Sequence, residues 1–349
     1  MIVVAGHVCL DITPNFLSKP KGGLETILKP GSLVQVGEAS VHVGGSVANT
    51  GLALKKFGAN VKLMGKIGRD DFGVVVRTHL ERQEAAEDMI ISAVGNTSYS
   101  VVLAPKGIDR FFIHHSGVND DFYYEDLNFD KIAQAKIFHF GYPTIMKSLY
   151  ENQGAEMTKI FKKVKSLGVT TSLDLAAVDP QSEAANIDFK GMFENILPQV
   201  DFFLPSVEEI AYMIDKERYQ EWQERAKGKD VTEILDIEQD VKPLAQYALS
   251  LGVKVVLIKC GARGIYFATA QEERFERSYR PSQVLSATGA GDTAIAAFLY
   301  AVIRGYSWEK CLQMATATGA SCVETYDGIS GLKSFAELQQ KIEAGWEKQ

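Results

Sequence analysis

Short apolar segments rich in β-branched residues alternate along this chain with segments of helical spacing. Segments 2–4, 61–67 and 170–175 predict buried strands. Segments 155–167 and 308–322 predict helices of the kind that connect such strands. Strands joined through helices in this way form a mostly parallel sheet with helices on both faces. Because no repeat or linker divides the sequence, we predict one α/β domain over residues 1–349.

Two β-rich excursions, at about residues 13–43 and 97–116, interrupt this alternation. In the second, segments 99–104 and 110–114 flank the turn Pro105-Lys106-Gly107, which predicts a β-hairpin. Since both excursions fall outside the alternating pattern, we expect them to pair with each other as a small β lid beside the main sheet. The exposed edge of such a lid needs cover, and a homodimer that pairs lid with lid would supply it.

Composition excludes several classes of protein. With a net charge of −7, the chain has no broad electrostatic attraction for nucleic acid or an anionic membrane surface. No apolar run reaches the ~18 residues of a membrane span, and the N-terminus lacks a signal-peptide pattern. The four cysteines are widely separated, which argues against a zinc site and fits small core residues in a reducing cytoplasm.

A glycine-rich turn near the C-terminal end is the strongest local signal of chemistry. Gly289 and Gly291 flank Ala290 directly before an alanine-rich apolar run that predicts a helix. The unpaired N–H groups and positive dipole end of such a helix make an anion site. Asp292 lies inside this site, where a carboxylate suits a base beside a phosphate. The alternative is an aspartate that caps an ordinary helix after a tight turn.

Four other glycine-rich or acidic motifs are absent. The sequence has neither the Gly-x-x-x-x-Gly-Lys-Ser/Thr of a P-loop nor a Gly-x-Ser-x-Gly nucleophile elbow. Its first strand is followed by Gly6-His7-Val8 rather than by a dinucleotide-binding Gly-x-Gly-x-x-Gly. The acidic stretches 69–71 and 119–121 lack the spacing of a calcium loop. These absences disfavour a P-loop enzyme, a dinucleotide-binding fold, a hydrolase of the nucleophile-elbow type and a calcium-loop protein.

Two signatures at opposite ends of the chain together resemble those of the ribokinase-like (PfkB) carbohydrate kinases. The C-terminal signature is Thr288-Gly289-Ala290-Gly291-Asp292, and the N-terminal one comprises Gly44, Gly45, Asn49, Gly58, Gly68, Asp71 and Gly73. The resemblance covers essentially the whole chain. It implies an ATP-dependent kinase that phosphorylates a hydroxyl of a small sugar or sugar-like substrate. A nucleoside kinase of the same fold and an inactive sugar- or nucleotide-binding regulator are the alternatives.

The resemblance also implies roles for the residues of the C-terminal turn. Asp292 would be the base that takes the proton from the acceptor hydroxyl. The N–H groups around Gly289, Ala290 and Gly291 would stabilise the charge that develops on the γ-phosphoryl group, which is the larger contribution expected in phosphoryl transfer.

The acceptor would bind near the N-terminal signature. The resemblance implies that Asp11 and Asn49 hydrogen-bond the sugar hydroxyls, while Gly44 and Gly45 let the sugar approach closely. Simpler alternatives are a turn residue for Asp11 and a helix-start residue for Asn49. Phe111, Phe112 and His114 on the predicted lid would close over the substrate and exclude water, unless they only pack the hairpin.

The nucleotide would lie over the turn that contains Gly261 and Gly264, with Lys259 nearby. A plain β-turn accounts for these glycines equally well on local grounds. Lys259 stands where relatives often have threonine. Its cation would touch a phosphate or pair with a surface carboxylate, and the sequence does not decide between these.

Two further departures from the family pattern concern ions. Ser206 replaces the asparagine of Asn-x-x-Glu, whereas the glutamate is kept as Glu209, so magnesium would be held indirectly through water and phosphate. Ser286 replaces the aspartate that commonly opens the C-terminal signature. In many relatives that aspartate helps form a potassium-type site, so its loss argues against activation by a monovalent cation.

Overall fold

The computed structural model describes residues 1–17, 28–105, 110–325 and 328–349. Part of the predicted lid turn, Lys106-Gly107, and part of the first excursion, residues 18–27, therefore lie outside the described residues. Nine strands form the main sheet, in the spatial order β13-β12-β11-β10-β9-β8-β1-β4-β5. In chain order these strands are β1 Ile2–Gly6, β4 Val61–Ile67, β5 Ile90–Ile91, β8 Ile137–Gly141, β9 Thr170–Asp174, β10 Phe202–Phe203, β11 Val255–Lys259, β12 Gly264–Thr269 and β13 Glu273–Arg277.

Neighbouring strands of this sheet are parallel, except where β12 and β13 add an antiparallel edge. The helices are α1 Gly45–Lys56, α2 Asp71–Arg82, α3 Phe129–Ile132, α4 Lys147–Ser166, α5 Phe189–Ile196, α6 Val207–Ile214, α7 Lys216–Ala226, α8 Lys242–Ser250, α9 Ala290–Ile303, α10 Trp308–Cys322 and α11 Phe335–Glu343. The predicted mostly parallel α/β fold is confirmed. No helix in the described part of the chain combines the length and apolar character that a bilayer crossing requires.

The core lies on both faces of the main sheet because its central strands are buried on both sides. Along β1, Val3 and Ala5 join one apolar cluster, while Ile2 and Val4 join the other. This alternation is the period-2 geometry of a strand. The side chains of α9 pack into the second cluster, where fully burying a residue such as Phe298 contributes roughly 1.5–3 kcal/mol. The first turn of α9 is thereby held rigidly at the edge of the sheet.

A second, four-stranded sheet has the order β3-β2-β6-β7. Its strands are β2 Cys9–Pro14, β3 Ala39–Gly44, β6 Tyr99–Leu103 and β7 Phe111–His115. Strand β2 pairs with both β3 and β6, so the two excursions are joined within one sheet. Because β2 already begins at Cys9, Asp11 lies on a strand of this small sheet rather than in a turn.

Three elements differ from the sequence prediction, each for a physical reason. β13 was not predicted because its residues Glu273–Arg277 are mostly charged, which an edge strand paired on one side tolerates. α4 begins at Lys147 because a short helical segment precedes the non-helical residues Glu151–Gly154, and the regular helix after them starts at Ala155, as predicted. α7 is not purely a surface helix, since Trp222 is completely buried.

Candidate active site

The site forms where strand ends and helix starts meet. Gly6, Gly141 and Asp174 stand side by side at the carboxyl ends of β1, β8 and β9, because the parallel register pairs Gly6 with Gly141 and Gly141 with Asp174. The N-terminal half of α1 and the first turn of α9 approach the same edge. Open parallel sheets bind ligands at this edge, outside the carboxyl ends of their strands.

Asp292 is at the centre of this arrangement and is only 3% exposed. Its carboxylate accepts a hydrogen bond from Asn49 Nδ2 at 3.0 Å. The hydroxyl of Tyr142 donates to both carboxylate oxygens, at 2.9 and 2.8 Å. Thr50 Oγ1 donates at 3.4 Å. Two residues of α1 and one at the end of β8 therefore fix the orientation of a carboxylate that lies far from them in sequence.

Burial raises the pKa of Asp292 above the ordinary value of an aspartate. The hydrogen bonds from Tyr142 and Asn49, and the positive charge of Lys259, oppose this effect without cancelling it. A carboxylate with a raised pKa is a stronger base than a solvent-exposed aspartate. The site therefore contains a buried, oriented carboxylate that is suited to accept a proton.

The backbone at the start of α9 presents donors beside this carboxylate. Gly289 precedes the helix with φ +76°, a conformation that glycine adopts without steric cost. The N–H of Ala290 donates to the Ala287 carbonyl at 3.3 Å. For the N–H groups of Gly289, Gly291 and Asp292, no acceptor is present among the described residues. Three donors thus remain available for an anion at the positive end of the helix dipole.

Asp11 lies against Gly44 on the neighbouring strand of the small sheet. A methyl group on Gly44 would lie 2.0 Å from Asp11 Oδ2, so the carboxylate occupies the space that a side chain would fill. Cys9 Sγ donates to Asp11 Oδ1 at 3.3 Å. Burial raises the pKa of Asp11, and the negative charge of Asp292 adds to this effect. The two carboxylates therefore lie within electrostatic reach of each other.

Gly45, the first residue of α1, has φ +82°, and a methyl group on it would lie 2.6 Å from the His7 carbonyl oxygen. His7 is buried, and its Nε2 lies 3.3 Å from His114 Nε2 on the small sheet. Its Nδ1 has no hydrogen-bond partner within the described part of the chain. All three side chains predicted to close over a substrate are exposed, and of these His114 contacts His7. Phe111 and Phe112 are 50% and 43% exposed.

Lys259 ends β11 and reaches across the end of β10. Its Nζ lies 2.5 Å from Asp174 Oδ1 and donates to the Leu204 carbonyl at 2.7 Å. The sequence left a phosphate or a surface carboxylate as partners, and the structure shows a buried carboxylate instead. This ammonium group also lies beside α9, since a methyl group on Gly291 would be 3.4 Å from Lys259 Cε.

Gly261 and Gly264 frame the short helical turn Gly261–Arg263 between β11 and β12. Gly261 is exposed, whereas Gly264 is buried with φ +131°. A methyl group on Gly264 would lie 2.0 Å from the Glu276 carbonyl oxygen. Close packing against β13 accounts for the glycine at this position. At Gly261, a methyl group would lie 2.9 Å from Thr232 Oγ1, so this glycine also allows close packing.

The Ser206–Glu209 segment forms the N-terminal capping box of α6. The Glu209 carboxylate accepts the N–H of Ser206 at 2.7 Å. At Ser286, where the family pattern commonly has an aspartate, Oγ accepts the N–H of Thr288 at 3.1 Å. No group of three or more His, Cys, Asp or Glu side chains in the described ranges is arranged to hold a metal.

Sequence reasoning missed Tyr142, which contacts Asp292 directly. It follows Gly141 at the end of a buried strand, and that position was the only available signal. Its backbone has φ +69° and ψ 35°, which is uncommon for a residue other than glycine. Such conformations cost roughly 1–3 kcal/mol and cluster at functional sites. This backbone strain supports a functional role for Tyr142.

Comparison with known proteins agrees with the fold and the paired signatures. A family model described as pfkB family carbohydrate kinase matches residues 3–334. A sugar kinase of Archaeoglobus fulgidus is 23% identical over 80% of this chain and 98% of its own length. The solved structure of Arabidopsis thaliana ribokinase complexed with ribose and ATP superimposes with a TM-score of 0.73 and 21% identity, covering 97% of both chains.

A nucleoside kinase of Burkholderia thailandensis, solved in complex with inosine, superimposes with a TM-score of 0.70 at 16% identity, covering 99% of this chain and 98% of its own. These superpositions place the chain in the ribokinase-like class of α/β folds. Within that class, the match over residues 3–334 is decisive: the chain belongs to the pfkB family of carbohydrate kinases. The family predicted from the two signatures is confirmed.

Proposed function

We propose that this protein transfers the γ-phosphoryl group of ATP to a hydroxyl of a small sugar or sugar-like substrate, with Asp292 as the general base. One observation carries the proposal: a buried, oriented carboxylate lies in the first turn of a helix, and the N–H groups of Gly289, Gly291 and Asp292 have no acceptor among the described residues. A proton acceptor and an anion site are thus adjacent. Phosphoryl transfer to an alcohol needs this pair, because the hydroxyl loses a proton while negative charge develops on the phosphoryl oxygens.

On the acceptor side, Asp11 and Asn49 bind substrate hydroxyls. Gly44 leaves the room that the Asp11 carboxylate occupies, and Gly45 lets α1 begin close to His7, so that the acceptor can approach this backbone. The proximity of Asp11 to the Gly44 backbone and the bond from Asn49 to Asp292 support this assignment. When the acceptor binds, its hydroxyl donates a hydrogen bond to Asp292 and replaces one of the two hydrogen bonds that Tyr142 donates in the free protein. Its proton passes to Asp292 as the oxygen bonds to the γ-phosphorus and the bond from that phosphorus to the ADP oxygen breaks.

On the nucleotide side, the N–H groups of the segment Gly289–Gly291 stabilise the charge on the transferred group, and Ala290 contributes by fixing the turn. Gly261, Gly264 and Lys259 bind the nucleotide. Magnesium would arrive with the nucleotide phosphates, since the described residues contain no metal cage of their own. Glu209 then acts through a bound water. The small sheet serves as a lid, because His114 already contacts His7 across the site.

A panel assay for ADP release, with neutral sugars, sugar acids and nucleosides as acceptors, tests the activity and the nucleoside alternative together. We expect release with at least one sugar or sugar acid. The nucleoside kinase that shares the fold makes nucleosides the second class to test. Release only with nucleosides would replace the sugar assignment. No release with any acceptor, although ATP binds, would favour an inactive sugar- or nucleotide-binding regulator.

The role of Asp292 is tested with Asp292→Asn, which keeps the shape of the side chain and its bond from Tyr142. We expect kcat to fall about 10²- to 10⁴-fold, the range for losing a general base, with little change in ATP binding. Asp130→Asn, an exposed aspartate on α3, is the matched control and keeps full activity. Full activity of Asp292→Asn would refute the assignment.

A further inference from the structure

The Lys259–Asp174 ion pair is a buried feature that fold stability alone does not explain. The two side chains are 13% and 2% exposed, and they join the ends of β11 and β9 across β10. Removing two charged groups from water is costly, and hydrophobic residues of similar size often stabilise a core equally well. A buried pair at the ligand-binding edge of the sheet is therefore better explained by a function.

The ammonium group of Lys259 lies next to the proposed anion cradle. A methyl group on Gly291 would lie 3.9 Å from Lys259 Nζ. An anion bound to the N–H groups at the start of α9 would therefore lie within reach of the ammonium group. Because position 291 is a glycine, no side chain separates the two.

The ammonium group retains one donor for such an anion. A lysine has three N–H donors, and two acceptors are present among the described residues, Asp174 Oδ1 and the Leu204 carbonyl oxygen. The two protein acceptors hold the group in place, so little side-chain entropy would be lost when a third acceptor binds.

The charge of the surroundings also favours a cation at this position. The carboxylates of Asp174, Glu209 and Asp292 all face Lys259. Although burial lowers the pKa of Lys259, their combined negative charge raises it above its ordinary value. The lysine therefore stays protonated. A phosphate that enters beside three carboxylates requires this positive charge to offset the repulsion.

Building on the proposed kinase function, we propose that Lys259 is a catalytic residue that donates to the transferred phosphoryl group at Gly291, with Asp174 as the positioning residue that aims it. The hydrogen bond from the Lys259 ammonium group to the phosphoryl oxygens strengthens as the phosphoryl group leaves ADP, because the negative charge on the transferred group changes during this step. No proton is transferred by Lys259, and Asp292 remains the base. The lysine thus acts on kcat and on recognition of the γ-phosphate, rather than on binding of the nucleotide as a whole.

The experiment compares Lys259→Met, Asp174→Asn and the double variant that carries both changes. Lys259→Met alone leaves Asp174 buried without its partner and is expected to reduce thermal stability. The double variant has neither charge, so it separates folding from catalysis. The matched control is Lys254→Met, which removes a largely exposed lysine just before β11.

In the ADP-release assay, we expect the double variant to melt close to the wild type while its kcat falls about 10²-fold or more, the usual effect of losing one oxyanion donor. Asp174→Asn, which keeps the lysine, should lose less activity than the double variant. Wild-type kcat in a folded double variant would overturn the proposal, because the pair would then be only structural.

Calorimetric titrations with ADP and with a non-hydrolysable ATP analogue give a readout independent of turnover. We expect the double variant to bind the analogue about 10-fold more weakly while ADP affinity stays unchanged, since only the analogue has a γ-phosphate. Equal weakening of both nucleotides, or of neither, would overturn the role of Lys259. If the wild type released no ADP with any acceptor, the kinase proposal would fail, and the titrations would still decide whether Lys259 recognises the γ-phosphate.

Discussion

His139 on β8 should make folding sensitive to acid. Its side chain is completely buried, with Nδ1 2.9 Å from Ser172 Oγ, and Nε2 has no partner in the described part of the chain. Burial, with a smaller contribution from the positive charge of Lys259, lowers the pKa of His139 from 6.5 to about 3. The folded protein therefore holds this histidine neutral at pH values where the unfolded chain protonates it.

The size of the effect follows from this pKa difference. Each unit of pKa difference is worth about 1.4 kcal/mol. Because the folded pKa is the lower one, stability is complete above the unfolded value and is lost as the pH falls towards the folded value. We expect His139 to reduce the free energy of unfolding by about 2 kcal/mol between roughly pH 7.5 and pH 5, and by about 4 kcal/mol at roughly pH 3.5. A domain is typically stable by only about 5–15 kcal/mol.

Urea unfolding followed by tryptophan fluorescence, at several pH values in this interval, measures the effect for the wild type and for His139→Gln. The glutamine keeps a polar group for Ser172 but does not titrate. The free energy of unfolding of His139→Gln should therefore fall by about 2 kcal/mol less than that of the wild type between roughly pH 7.5 and pH 5. His7, whose pKa burial also lowers, remains in both proteins and cancels in the comparison. His79→Gln on α2 is the control substitution. If the wild type and His139→Gln lost stability in parallel, the buried-histidine argument would be wrong.

Three further predictions concern the site and the assembly. Gly44→Ala places a methyl group 2.0 Å from Asp11 Oδ2 in the present geometry, so it should raise KM for the acceptor and leave KM for ATP unchanged; an unchanged acceptor KM would contradict the assignment. Because Ser286 supplies a hydroxyl where relatives have a carboxylate, a potassium titration should leave kcat unchanged, and a sharp rise would show that a cation binds after all. The exposed apolar face of β7 predicts a homodimer through the small sheet, which light scattering after size exclusion would disprove by finding a strict monomer.

The fold was largely predictable because its signals are local. α10 and β4 have the predicted bounds, since hydrophobic period and flanking turn residues specify such elements over a few residues. The candidate site was predictable in part for a different reason. Glycines in the sequence mark positions where the backbone approaches another group too closely for a side chain. Gly44, which lies against Asp11, is one of these positions.

The contacts that connect these local signals were not predictable. Tyr142 reaches Asp292 across 150 positions of sequence, and it does so from a left-handed backbone conformation that no pattern favours for tyrosine. Lys259 meets Asp174 because the strand order places β11 and β9 on the two sides of β10, and the lysine side chain reaches across the end of β10. Both contacts depend on strand order, and strand order is a property of the assembled sheet rather than of any one segment.

The added lysine and the missing carboxylate have related electrostatic consequences. Relative to the family pattern, Ser286 removes a negative charge near the start of α9 and Lys259 adds a positive one. A potassium ion close enough to assist the same phosphoryl group would be repelled by the ammonium group, by about 4 kcal/mol at a separation of about 4 Å in a partly screened site. If Lys259 acts on the phosphoryl group as proposed, Lys259 and a monovalent cation would be alternative sources of the same positive charge. Strong potassium activation of the wild type would accordingly contradict the catalytic role of Lys259 as well as the prediction for Ser286.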